Sequence, residues 1–169
     1  MGDPALAARP AALAFLPRSF FEARRPLPYV GLAWSLAFFP SILLSVLVSQ
    51  AAPGGAPKFP EVAPGVLLFL LVVFAPVVET IIMGTVLLVV ERLAGFLPAV
   101  LLSSVGWAIA HSLQAAAWGL VIWWPFLIFS ITFLVWKRQS LAAAFGMPML
   151  VHALQNFGPA LLLVSGVAD

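Results

Sequence analysis

Three polar groupings sit inside apolar stretches long enough to cross a bilayer: Glu79-Thr80 just after Ala75-Pro76, Trp107 to His111, and His152 to Asn156. Glu79 is the one carboxylate deep in an apolar run, and the chain's two histidines are both in this set. A carboxylate with imidazoles is the equipment for activating water, and imidazole or amide N–H groups can steady the oxyanion of acyl transfer. An ionisable group near the bilayer centre costs at least about 2.5 kcal/mol on insertion scales, so three of them on three helices read as one functional site. Trp107 and His111 are four residues apart, as are His152 and Asn156, which puts each pair on a single helix face.

The elements that must position these residues follow from composition. Of 169 residues, 63% are hydrophobic and 8% charged, against about 25% charged in a soluble domain. The chain therefore reads as an all-α, polytopic membrane bundle of about five transmembrane helices. The apolar stretches are Tyr29 to Ser49, Gly65 to Val90, Phe96 to Leu113, Ala116 to Trp136 and Leu141 to Val167. At about 1.5 Å per residue each can cross a core of roughly 30 Å, the third only just. Ala51 to Pro64, rich in proline and glycine, reads as a loop. Glu91-Arg92, Ser112 to Ala115 and Lys137-Arg138 make the other connections, Glu91-Arg92 as a solvated pair. Two domains are expected: residues 1–28, an interfacial segment broken by Pro4, Pro10, Pro17, Pro26 and Pro28 with Phe15, Phe20 and Phe21 toward lipid, and residues 29–169, the membrane domain.

Charge and cysteine usage narrow the classes further. The net charge of +2 comes mainly from short basic patches that read as topology signals, not as a nucleic-acid surface. Arg18, Arg24, Arg25, Arg92, Lys137 and Arg138 fall on one side of the membrane and Lys58 on the other, so the expected location is the cell membrane, multi-pass, with a cytoplasmic amino terminus. A cleaved signal peptide is not expected, because Asp3 and Arg9 make a poor basic leader. With no cysteine in the chain, disulfides, thiolate metal sites and a cysteine nucleophile are excluded. Trp118, Trp123, Trp124 and Trp136 flank or occupy the fourth span, and those near its ends suit an interfacial belt.

Depth brings the polar residues together. Spans two and three form a hairpin turning near Ala94 or Gly95, with Glu79 about 15 residues before the turn and His111 about 16 after it, each roughly 23–25 Å along its helix. They are expected to face each other. His152 lies roughly 21 Å into the fifth span from the same side. Ser103, Ser104, Gly106, Ala108 and Ala110 make span three a small-residue helix suited to close approach, as Gly84 does for span two. Blander readings exist for each residue: Glu79 and Asn156 as interhelical hydrogen-bonding glue, His111 as an interfacial histidine. Thr80 either back-bonds toward the Pro76 region or polarises Glu79.

At these residues the chain resembles the CPBP family, the CAAX-protease and bacteriocin-processing intramembrane proteases. The family's motifs are a Glu-Glu-x-x-x-Arg helix preceded by an Ala-Pro-like dipeptide, a Phe-x-x-x-His helix and a His-x-x-x-Asn or Asp helix. Here they read Ala75-Pro76-Val77-Val78-Glu79-Thr80 through Gly84, Trp107 to His111, and His152 to Asn156. Thr80 stands for the second glutamate, Gly84 for the arginine and Trp107 for the phenylalanine. The resemblance, over roughly residues 65–165, implies a glutamic-type intramembrane endopeptidase without a cofactor. In it Glu79 and His111 hold and deprotonate water, His152 and Asn156 donate to the oxyanion, and Thr80 and Trp107 give support. It also implies a substrate that is a membrane protein or peptide, such as a carboxyl-terminal sorting or processed tail. Two alternatives stay open: a zinc-dependent version using Glu79, His111 and His152 as ligands, and a noncatalytic scaffold or proton-linked carrier using the same groups.

Overall fold

The computed structural model describes residues 9–53, 55 and 57–166. Residues 1–8 of the expected interfacial segment, with Asp3 and Pro4, lie outside the described residues, as do Gly54 of the expected loop and Val167 of the fifth apolar stretch. The described chain is all-helical: α1 (Pro26–Ala51), α2 (Pro64–Ala94), α3 (Phe96–Ser112), α4 (Gly119–Trp136) and α5 (Leu141–Val164). Four of these are long and apolar enough to cross a membrane, and α3, at 17 residues, is a shorter apolar helix. The molecule is a helical membrane bundle, as its composition implies.

The bundle is built around α4. Every residue from Pro125 to Trp136 is buried, and α4 packs most extensively on α3, then on α1 and α5. The other helices show one side to lipid, with Phe39, Leu43, Phe69, Leu102, Ile109 and Leu162 exposed. A small polar pair joins α3 to α4: Ser130 Oγ donates to the buried Ser103 Oγ at 2.9 Å, while the buried Ser104 hydroxyl donates to the Leu101 carbonyl of its own helix. A side chain at Gly119 would collide with the Ala108 carbonyl and Ser112 Oγ, so the chain enters α4 only where no Cβ intervenes.

The α2–α3 hairpin turns at Gly95, whose φ of 85° and ψ of 179° are essentially open to glycine only. The helix runs on past the expected end of the span. Glu91 and Arg92 therefore belong to the last turn of α2 and not to a loop, and Glu91 forms an ion pair with Lys137 at the end of α4. Helix α5 opens on Ser140, whose hydroxyl accepts from the Ala143 N–H at 3.0 Å.

The amino-terminal segment differs from expectation. Residues 9–25 make two short 3-10 turns, Ala11–Leu13 and Arg18–Phe21, and fold back so that Arg9 and Pro10 share a surface cleft with Arg18, Phe21 and Glu22. Leu13, Leu16, Phe20 and Phe21 are buried, and of the three phenylalanines assigned to lipid only Phe15 is exposed. Phe20 stacks on Tyr29 at 5.5 Å, Tyr29 meets Trp136 at 5.2 Å, and Phe15 lies 6.1 Å from Trp124. The reason is backbone chemistry: a proline-broken segment cannot satisfy its own N–H and C=O groups in lipid, so it lies against protein and turns its apolar side chains inward. Trp136 is correspondingly buried, not part of an interfacial belt.

Candidate active site

On α2 the residues Pro76, Thr80, Met83, Gly84 and Leu87 are buried and recur at helical spacing, so this stripe faces the bundle. Glu79 sits at its edge, with 23% of its side chain exposed, and its Oε2 lies 3.8 Å from Nε2 of His152, which is 5% exposed. That separation is beyond a direct hydrogen bond and within the reach of one bridging water. Thr80 is buried, and its hydroxyl has no hydrogen-bond partner among the described residues, so neither of its expected contacts forms. Gly84 is filled from outside by the rings of Phe133 and Phe145, which a Cβ there would strike. The position where the resembled family carries arginine has no room for one.

The two imidazoles are set by aromatic rings of α4. His152 stacks on Phe129 with centroids 4.6 Å apart and meets Phe126 edge-on at 5.4 Å. Phe126 also lies 5.6 Å from His111 and stacks on Trp107 at 4.5 Å. Trp118 closes the other side of His111, edge-on at 4.6 Å. A single phenyl ring thus contacts both histidines, and both are buried. His111 Nδ1 is 2.8 Å from the Trp107 carbonyl. A carbonyl only accepts, so Nδ1 carries the hydrogen and Nε2 of the neutral ring presents a lone pair. The four-residue spacing of Trp107 and His111 is therefore a backbone device that fixes a tautomer, besides placing two rings on one face.

Asn156 has a specific partner. Its Nδ2 donates to the Leu71 carbonyl at 3.0 Å. Leu71 lies in Leu70–Phe74, where α2 widens into a π-helical turn, and the Ala75 N–H bonds to Leu70, five residues back. Pro76 has no N–H to give.

The structure brings Glu79 and His152 into direct proximity, and gathers His111, Trp107 and His152 on the same Phe126 ring. Among the described residues the imidazole within ion-pair reach of Glu79 is His152 and not His111. Asn156 is one turn from His152 on α5, directed at the backbone of α2. Phe126, Phe129 and Trp118 shape the site and carried no sequence signal, because aromatic residues in an apolar helix look like any core or belt residue. No group of three or more carboxylate or imidazole side chains among the described residues is gathered closely enough to hold a metal ion, so Glu79, His111 and His152 do not form a coordination sphere here. No protein-family model matches the chain, and no curated protein or solved structure matches it either.

Proposed function

We propose that this chain is a CPBP-like intramembrane endopeptidase that hydrolyses a peptide bond in a membrane protein or peptide tail. The observation that supports the reading is the Glu79 carboxylate, partly exposed within a helical bundle and 3.8 Å from the His152 imidazole. In the proposed step Glu79 takes a proton from a water whose oxygen adds to the scissile carbonyl carbon. Nε2 of His111, left with a lone pair by the Trp107 carbonyl, accepts from the same water and orients it. His152, with its hydrogen on Nε2, donates to the oxyanion. The C–N bond then breaks, and the proton held by Glu79 passes to the leaving amine. One N–H of the Asn156 amide serves Leu71, and the oxyanion donor in this scheme is His152. Lipid around the bundle and the Phe126, Phe129, Trp107 and Trp118 rings keep bulk water out, which strengthens each polar contact within. The membrane is the working environment, with the amino terminus on the cytoplasmic side.

The test is proteomics of a deletion strain complemented with the wild-type chain or with Glu79→Gln. The reading expects carboxyl-terminal tails that are trimmed in the first and retained in the second. Equal trimming by both would overturn the peptidase mechanism.

A further inference from the structure

Helix α2 breaks one turn before Glu79, and the break leaves one carbonyl without a helical donor. In an α-register the Leu71 carbonyl takes the N–H of Ala75, but that N–H has moved to Leu70. In a π-register it takes the N–H of residue 76, which is proline. Both intrahelical donors of Leu71 are lost, and a carbonyl stranded in an apolar bundle requires a partner from elsewhere. The Asn156 amide, arriving from α5 at 3.0 Å, is that partner.

The same two helices meet again one turn along α5, where His152 faces Glu79. The Asn156–Leu71 and His152–Glu79 contacts are thus successive rungs between antiparallel helices. A π-turn rotates everything after it relative to everything before it, so whatever pins the turn also sets the direction in which Glu79 points. Building on the peptidase reading, we propose that Asn156 is a positioning residue. It caps the Leu71 carbonyl that Pro76 orphans, and by fixing the π-turn it holds Glu79 in register with His152.

A double-mutant cycle between Asn156 and Pro76 tests this, using full-length protein in detergent micelles or bilayer nanodiscs. Asn156→Leu keeps the branching of the side chain and removes the donor, whereas Pro76→Ala gives the helix back an N–H. Asn156→Leu is expected to speed amide exchange at least tenfold across residues 72–79, and to lower kcat at least tenfold with KM little changed. In the Pro76→Ala background both losses shrink below threefold, since the helix then satisfies Leu71 itself. Asn156→Gln, which keeps an amide donor, is expected to recover at least half of the lost exchange protection, and this arm stands even where Pro76→Ala does not fold. Equal kcat loss in both backgrounds would mean that Asn156 contacts the substrate and would overturn the proposal. Unchanged exchange in Asn156→Leu would overturn it as well. Exchange is read without substrate, so failure of the peptidase reading shows up separately, as cleavage that survives Glu79→Gln.

Discussion

Helices α1 and α2 carry the same defect and repair it differently. Pro40 lies inside α1 and withdraws the N–H that the Leu36 carbonyl, four residues back, would accept. Trp124 of α4 supplies the missing donor through its indole N–H, at 2.7 Å. Helix α1 stays α-helical through the repair. At Pro76 the helix slips into a π-turn, the orphan moves to Leu71, and Asn156 caps it. An indole has one donor, spent entirely on the backbone, inside an aromatic group that includes Phe15 and Trp123. The second repair lies beside a carboxylate and an imidazole, and it changes helical register. The lesson is that a proline break is a packing matter when its cap leaves the helix regular, and a means of aiming side chains when it does not.

Substitutions at the two breaks should separate these outcomes. The largest effect is expected from Glu79→Gln beyond the second break: a fall in cleavage of at least about 100-fold with thermal stability retained, read by turnover of a validated tail substrate. Trp124→Phe at the first break should do the reverse, lowering unfolding stability by about 1–3 kcal/mol with turnover unchanged, because the Leu36 carbonyl is left unpaired. Pro40→Ala should abolish most of that cost. If Trp124→Phe instead lowered turnover as much as stability, the contrast between the two breaks would collapse. Gly84→Ala, one turn beyond Glu79, places a methyl against Phe133 and Phe145 and is expected to cost about 1–3 kcal/mol in the same unfolding assay. Ser130→Ala removes the hydrogen bond between α4 and α3, for an expected loss of about 0.6 kcal/mol. Exhaustive chelation of the purified protein is expected to leave turnover unchanged, and loss of activity restored by added zinc would revive the metal-dependent alternative.

Much of the fold was legible because lipid imposes simple rules. Long apolar runs, the turn at Gly95 and the small residues of α3 follow from length and polarity. The residues at risk in lipid, Glu79, His111 and His152, stood out because ionisable groups there are costly. Other expectations failed where a contact from elsewhere in the chain outweighed local pattern. Phe20 and Phe21 look like lipid anchors until the proline-broken backbone around them has to be sheltered. Glu91 looks like a loop residue until Lys137 is found opposite it. Matching depths along a hairpin brought Glu79 and His111 to similar levels but said nothing about rotation, and a π-turn is a rotation.

The sequence by itself determined the membrane class, the helical spans, the turn that glycine makes possible, and which polar residues needed an explanation. These depend on composition and on spacing along one helix. Only the tertiary structure decided that Glu79 meets His152, that Phe126 touches both histidines, that rings fill the space beside Gly84, and that Asn156 caps Leu71. Each depends on how one helix is rotated against another. That rotation is set by the packing of α4 and by backbone groups seeking partners, neither of which is written in the order of residues along a single span.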